Sequence, residues 1–105
     1  MADGKVQTIV AGHICLDIIP NLDGQSKSFG ELLRPGNLLV ADPAAISTGG
    51  AVSNTGLALH RLGFPVALMG KIGRDLFGRG IQDVLRRYGE HLADGMIVSD
   101  DPSSY

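Results

Sequence analysis

Residues Gly49–Gly78, GGAVSNTGLALHRLGFPVALMGKIGRDLFG, decide the fold. After the glycine pair, Val52, Thr55, Leu59 and Leu62 recur at three- and four-residue steps, with Ala51 and Ala58 beside them. That spacing predicts an amphipathic helix. His60 and Arg61 fall in its last turn, where positive charge opposes the helix dipole, and Gly63 is a natural stop. Pro65 to Ile72 (PVALMGKI) then reads as a buried strand. Asp75 suits the N-cap of a second helix, with Phe77, Ile81, Val84, Leu85 and Tyr88 as its apolar face. Arg86 and Arg87 occupy the last turn of that helix and Gly89 ends it.

Working outward, Val6 to Gly12 (VQTIVAG) is a β-branched run ending in glycine and predicts a first strand. Ile14, Leu16, Ile18 and Ile19 carry the apolar character through His13, Cys15 and Asp17, which places Asp17 just past the end of that strand. Pro20 to Pro35 is rich in turn and loop formers: Asn21, Asp23, Gly24, Gln25, Ser26, Lys27, Ser28 and Gly30. Leu38 to Ala41, bracketed by Pro35-Gly36-Asn37 and Asp42-Pro43, predicts a short strand in an excursion from the core, with Ala44 to Thr48 as its partner. Met96 to Val98 starts a last strand. Strands alternating with helices of this length predict an α/β fold with βαβ units, a parallel sheet and right-handed crossovers.

The chain has 105 residues, room for one domain and a modest core. Hydrophobic residues at 44% and charged residues at 19% exclude a disordered chain. Fifteen glycines, about twice the usual share, favour tight turns and close backbone approach over a plain bundle. A net charge of −2 lacks the basic footprint of a nucleic-acid binder. Cys15 has no partner for an internal disulfide, which suits a reducing compartment. Met1 to Thr8 has no apolar core of a signal peptide, and no apolar run reaches membrane-spanning length, so the expectation is a cytoplasmic protein with neither membrane nor nucleic-acid partner.

Three places can carry chemistry. A carboxylate at the carboxyl end of a strand, Asp17, can accept hydrogen bonds from two neighbouring hydroxyls of a polyol; a solvated acid is the plainer alternative. Gly49 and Gly50 let a ligand approach the backbone at a helix mouth, and Asn54, about one turn further on, can donate and accept toward it. The alternative is an ordinary glycine turn with Asn54 in solvent. The junction Gly70 to Gly78 offers Lys71 and Arg74 to anions, but a solvated face and a capping Asp75 are the plainer readings. His13, His60 and His91 are far apart and have no metal-ligand spacing with Cys15. Met69 and Met96 sit in apolar strands and read as core. No P-loop and no G-x-G-x-x-G after the first strand is present.

The quoted stretch resembles the N-terminal motif of the PfkB (ribokinase-like) carbohydrate kinase family. Gly49, Gly50, Asn54, Gly63, Gly73, Asp75 and Gly78 match the glycine pair, helix asparagine, helix-ending glycine and G-x-D-x-x-G junction of that motif. GHICLDII resembles the end of the family's first strand, whose aspartate binds the sugar and matches Asp17. RPGNLLVADPAAISTGG is similar to its lid strands. The resemblance, over about residues 6 to 105, implies a Rossmann-like three-layer α/β/α core with a small β-lid, the excursion at about 20–48. It implies phosphoryl transfer from ATP, with Mg²⁺, to a sugar or nucleoside hydroxyl. Asp17, Gly49, Gly50 and Asn54 would hold the acceptor, and lid strands of the family often pair between subunits as a homodimer.

The family's catalytic base lies in a G-x-G-D motif near its C-terminus, and no G-x-G-D occurs here. No catalytic, cofactor-binding or metal-binding residue is therefore assigned. The expectation is the N-terminal part of such a kinase, truncated before the nucleotide-binding half and inactive by itself. Cys15 stands where ribokinase-type members carry an asparagine, and Ala51 where some carry a lysine, which argues against ribose as the substrate. Two readings compete with a kinase part. One is a non-catalytic small-molecule-binding or oligomerisation module derived from the fold. The other is a nucleotide-binding Rossmann fragment, against which the missing glycine fingerprint counts.

Overall fold

A computed structural model describes residues 5, 8–24 and 28–105. Among these residues two sheets are present. The first is a three-stranded parallel sheet of β1 (Thr8–Gly12), β4 (Val66–Gly73) and β5 (Met96–Ser99), in that order. The second is a two-stranded antiparallel sheet of β2 (Cys15–Asn21) and β3 (Asp42–Gly49). A single helical turn, α1 (Phe29–Leu32), lies between β2 and β3. Helix α2 (Gly50–Arg61) joins β3 to β4, and α3 (Leu76–Tyr88) followed by a 3₁₀ turn (Glu90–Ala93) joins β4 to β5. The alternation of strand and helix thus produces parallel pairing, as expected of βαβ crossovers.

Both helices form where their apolar spacing predicts. Leu62 caps α2 and Gly63 follows at φ 90°, a conformation that favours glycine. Asp75 caps α3, accepting the Gly78 N–H at 2.7 Å. Val52 and Leu57 of α2 and Ile81, Val84 and Leu85 of α3 meet Val66, Leu68 and Ile72 of β4 in one core, joined by Ile14, Leu16, Leu92 and Met96. The opposite face of the sheet carries Ile9, Met69 and Ile97, all exposed. Among the described residues the helices therefore cover one face, and the other face is bare.

Four expectations are corrected. Asp17 does not follow the first strand directly: after Gly12 (φ 148°) the chain turns and begins a separate strand, with Asp17 paired to Ser47. Leu38 to Ala41 is not a strand; Leu38 and Val40 are strongly exposed, and the partner of residues 44–48 is β2. Pro35-Gly36-Asn37 and Asp42-Pro43 bound the segment, but residues 42–49 pair with β2 instead and 38–41 stays outside both sheets. Met69 is not core, because it alternates with buried Leu68 and Gly70 and points to the bare face, whereas Met96 is buried. Tyr88 of the expected apolar face of α3 is half exposed. The start of the predicted first strand, Val6 and Gln7, and the loop formers Gln25, Ser26 and Lys27 lie outside the described residues, as does most of Met1 to Thr8.

Candidate functional site

Where β3 passes into α2, the chain turns over bare backbone. Strand alternation puts Cys15, Asp17, Ser47 and Gly49 on one face of the β2–β3 sheet, and Leu16 and Thr48 on the other. Leu16 packs toward Gly80 of α3, which anchors the sheet to the core. Thr48 and Ser53 share a buried hydroxyl–hydroxyl hydrogen bond of 2.6 Å, tying the end of β3 to the first turn of α2.

The half-buried Asp17 carboxylate lies over Gly49. A Cβ on Gly49 would stand 2.6 Å from Asp17 Oδ2 and 3.1 Å from Cys15 Sγ. The thiol of Cys15 donates to Asp17 Oδ1 at 3.4 Å. Burial, then that hydrogen bond and the Asp17 charge, push the Cys15 thiol above its ordinary pKa, so the sulfur is kept protonated as a donor. One carboxylate oxygen is engaged by the thiol and the other sits above bare backbone.

Gly50 adopts φ 87°, and a Cβ there would stand 2.6 Å from the His13 carbonyl oxygen. Only glycine fits that position. The same carbonyl accepts the Val52 N–H at 3.1 Å, so one of the helix-mouth donors is already occupied. Asn54 is exposed one turn into α2, beside a hollow of about 220 Å³ shared with Ser47, Arg61 and Tyr88. Asp17, Gly49 and Gly50 are thus adjacent, whereas Asn54 lies one turn further along α2 and lines a hollow with Ser47, the cross-strand partner of Asp17.

The Gly70–Gly78 junction has a different task. Asp75 accepts from Gly78 N–H, from Ser103 N–H at 2.9 Å and from the Ser103 hydroxyl at 2.7 Å, while Ser103 Oγ accepts from Gly73 N–H at 2.7 Å. The Ser103 N–H, the Gly78 N–H and the Ser103 hydroxyl, in that order, hold the Asp75 carboxyl below its ordinary value. Lys71 pairs with Asp101 and Arg74 with Asp100 on exposed surface. These contacts bind the C-terminal residues to the β4–α3 turn, so this junction is a structural latch. Sequence spacing announces the Asp75 cap but not Ser103, which comes from 28 residues away. Cys15 joins the site because it stands two residues from Asp17 on β2, a placement that strand alternation signals only once β2 is recognised.

The chain matches the profile described as pfkB family carbohydrate kinase over residues 8–89. It belongs to that family. Among its relatives, fructokinase-1 of Zea mays is 34% identical over 101 residues, covering 95% of this chain and 27% of the maize protein. Fructokinase-1 of Oryza sativa subsp. japonica is 33% identical over 99 residues, covering 92% of this chain and 26% of that protein. In three dimensions the chain superposes on the fructokinase with bound ATP from Xylella fastidiosa with a TM-score of 0.65 at 23% identity, over 95% of this chain and 28% of that one. The fructokinase of Halothermothrix orenii gives 0.54 at 23% identity, over 95% and 30%. These superpositions establish the α/β fold of the ribokinase-like kinases. The chain spans only about a quarter of the length of the relatives it matches. Among the described residues no helix is long and apolar enough to cross a membrane.

Proposed function

We propose that these residues are the sugar-binding N-terminal part of an ATP-dependent carbohydrate kinase, which transfers the γ-phosphoryl group of ATP to a sugar hydroxyl. The observation that carries this reading is the Asp17 carboxylate held over Gly49, beside the positive-φ turn of Gly50. A carboxylate accepts from two hydroxyls at once, and bare glycines let a ring approach the backbone. Asn54 supplies a donor and an acceptor on the adjoining turn. The names of the relatives make fructose the first substrate to try.

The donors gathered here suit hydroxyls rather than a metal–triphosphate pair. Among the described residues no group of three His, Cys, Asp or Glu side chains is placed to hold a cation. The chemistry of this donor set does not suit the ATP and Mg²⁺ that the family reaction uses. In this reading β2 and β3 form the lid over the sugar, which extends the excursion back to Cys15. The exposed Ile18 and Ile46, cross-strand partners, are the apolar patch for pairing lids in a homodimer. A cytoplasmic location accords with the protonated, unpaired Cys15.

The test is kinetic, on the whole protein. Asp17→Ala and Asn54→Ala should each raise the KM for fructose by about tenfold or more, the loss of a hydrogen bond to a charged group or amide, and leave the KM for ATP within about twofold. Equal rises in both would remove the assignment. The 105 residues alone should show no sugar-dependent consumption of ATP.

A further inference from the structure

The opposite end of α2 carries a feature that sugar binding leaves unused. His60, in the last turn of α2, and His91, in the 3₁₀ turn after α3, are 31 residues apart in the chain, yet their ring centroids lie 5.7 Å apart at an interplanar angle of 59°. With Gly63, Phe64 and Pro65 they line a hollow of about 270 Å³. Gly89 lies against both rings: a Cβ there would stand 3.3 Å from His60 Cε1 and 3.4 Å from His91 Cε1.

His60 Nε2 lies 3.0 Å from the Tyr88 carbonyl oxygen. A carbonyl has no proton to give, so Nε2 is the donor, and in the neutral ring the lone pair rests on Nδ1. Metal-binding imidazoles characteristically give their second N–H to a backbone carbonyl in this way. The ring separation also fits. With metal–nitrogen bonds of about 2.1 Å, each centroid stands about 3.2 Å from the ion, so two rings at tetrahedral or wider angles are about 5–6 Å apart.

We infer that His60 and His91 form a two-imidazole site for a borderline divalent transition metal of the Zn²⁺ or Ni²⁺ class, about 15 Å along α2 from Gly50. No third His, Cys, Asp or Glu joins them among the described residues, so water completes the coordination. Because the two ligands come from α2 and from the turn that follows α3, a bound ion clamps the C-terminal ends of both helices together.

The test is a Zn²⁺ titration of the chelator-stripped protein by calorimetry, with Ni²⁺ broadening of the imidazole C–H resonances as a second readout. We expect one saturable site. Replacement of exposed His91 by Gln should weaken it at least fivefold, and Cys15→Ser should leave it unchanged. Ni²⁺ should broaden the signals of His60 and His91 before those of His13. A loss smaller than fivefold in His91→Gln, dependence on Cys15, or broadening that begins at His13 would each overturn the site. The broadening test holds even if a variant fails to fold.

Discussion

Gly49 works by having no side chain. Its φ of −132° is open to any residue, so an alanine there meets no backbone strain and acts only through the space it takes. That space belongs to Asp17 Oδ2, 2.6 Å from the added carbon, and Gly49→Ala should push the carboxylate aside. The expected outcome in the whole protein is a fructose KM raised about tenfold, the worth of a displaced charge-assisted hydrogen bond, with helical content by circular dichroism unchanged. Asp75 illustrates a polar residue of the other kind. Its folded pKa is depressed by donors from Ser103 and Gly78, so its contribution to stability is present above the unfolded value, near 3.9, and is lost as pH falls through the lower folded value. The Tm difference between wild type and Asp75→Asn should accordingly be largest near neutral pH and narrow below about pH 4. A gap that widens on acidification would contradict the latch.

At the scale of elements, α2 and β4 are matched through Gly56. A Cβ there would overlap Leu68 Cδ2, and Leu68 is too buried to swing away. Gly56→Ala should therefore cost about 1–3 kcal/mol despite alanine's better helix propensity, because overpacking outweighs it. Thermal denaturation checks this, with a Tm fall of at least about 4 °C expected for a domain of this size. The β2–β3 sheet is held by fewer means: Leu16 against α3, the Thr48–Ser53 hydroxyl pair, and the Leu16 N–H bonded to the Ser104 carbonyl at 3.0 Å. Its outer half, beyond Ile18 and Ile46, leaves the core and projects into solvent. Under the proposed function, anchoring at one end and freedom at the other suit a lid that closes over the sugar.

For the molecule as a whole, the governing fact is that a parallel sheet is covered by helices on one face only among the described residues. Ile9, Met69 and Ile97 lie bare on the other face, and β1 and β5 are open edges. Parallel sheets are ordinarily buried on both sides. The 105 residues in isolation should therefore bind a dye such as ANS and associate on size exclusion, through an apolar face and unpaired edges. A dye-silent monomer would show that the face is covered in a manner the structure does not display.

What the sequence determined by itself was local. The periods of α2 and α3, their glycine and aspartate caps, and the β-branched runs of β1 and β4 are readable because each rests on neighbours within a turn or a pleat. The glycine pair with Asn54, and GHICLDII with Asp17, carried the family resemblance for the same reason: each motif is a short run of chain. Only the tertiary structure decided what depends on distant partners. Leu38 to Ala41 has strand-like residues but stays outside both sheets, because residues 42–49 pair with β2 instead. Asp17 belongs to β2 because residues 42–49 return to pair with it, and it is this return that seats its carboxylate on Gly49. Ser103 closes on Asp75, and His91 approaches His60, across stretches over which no periodicity speaks. Local pattern reports what one segment prefers, whereas long-range pairing is settled by which surfaces are left to bury once the chain has folded back on itself.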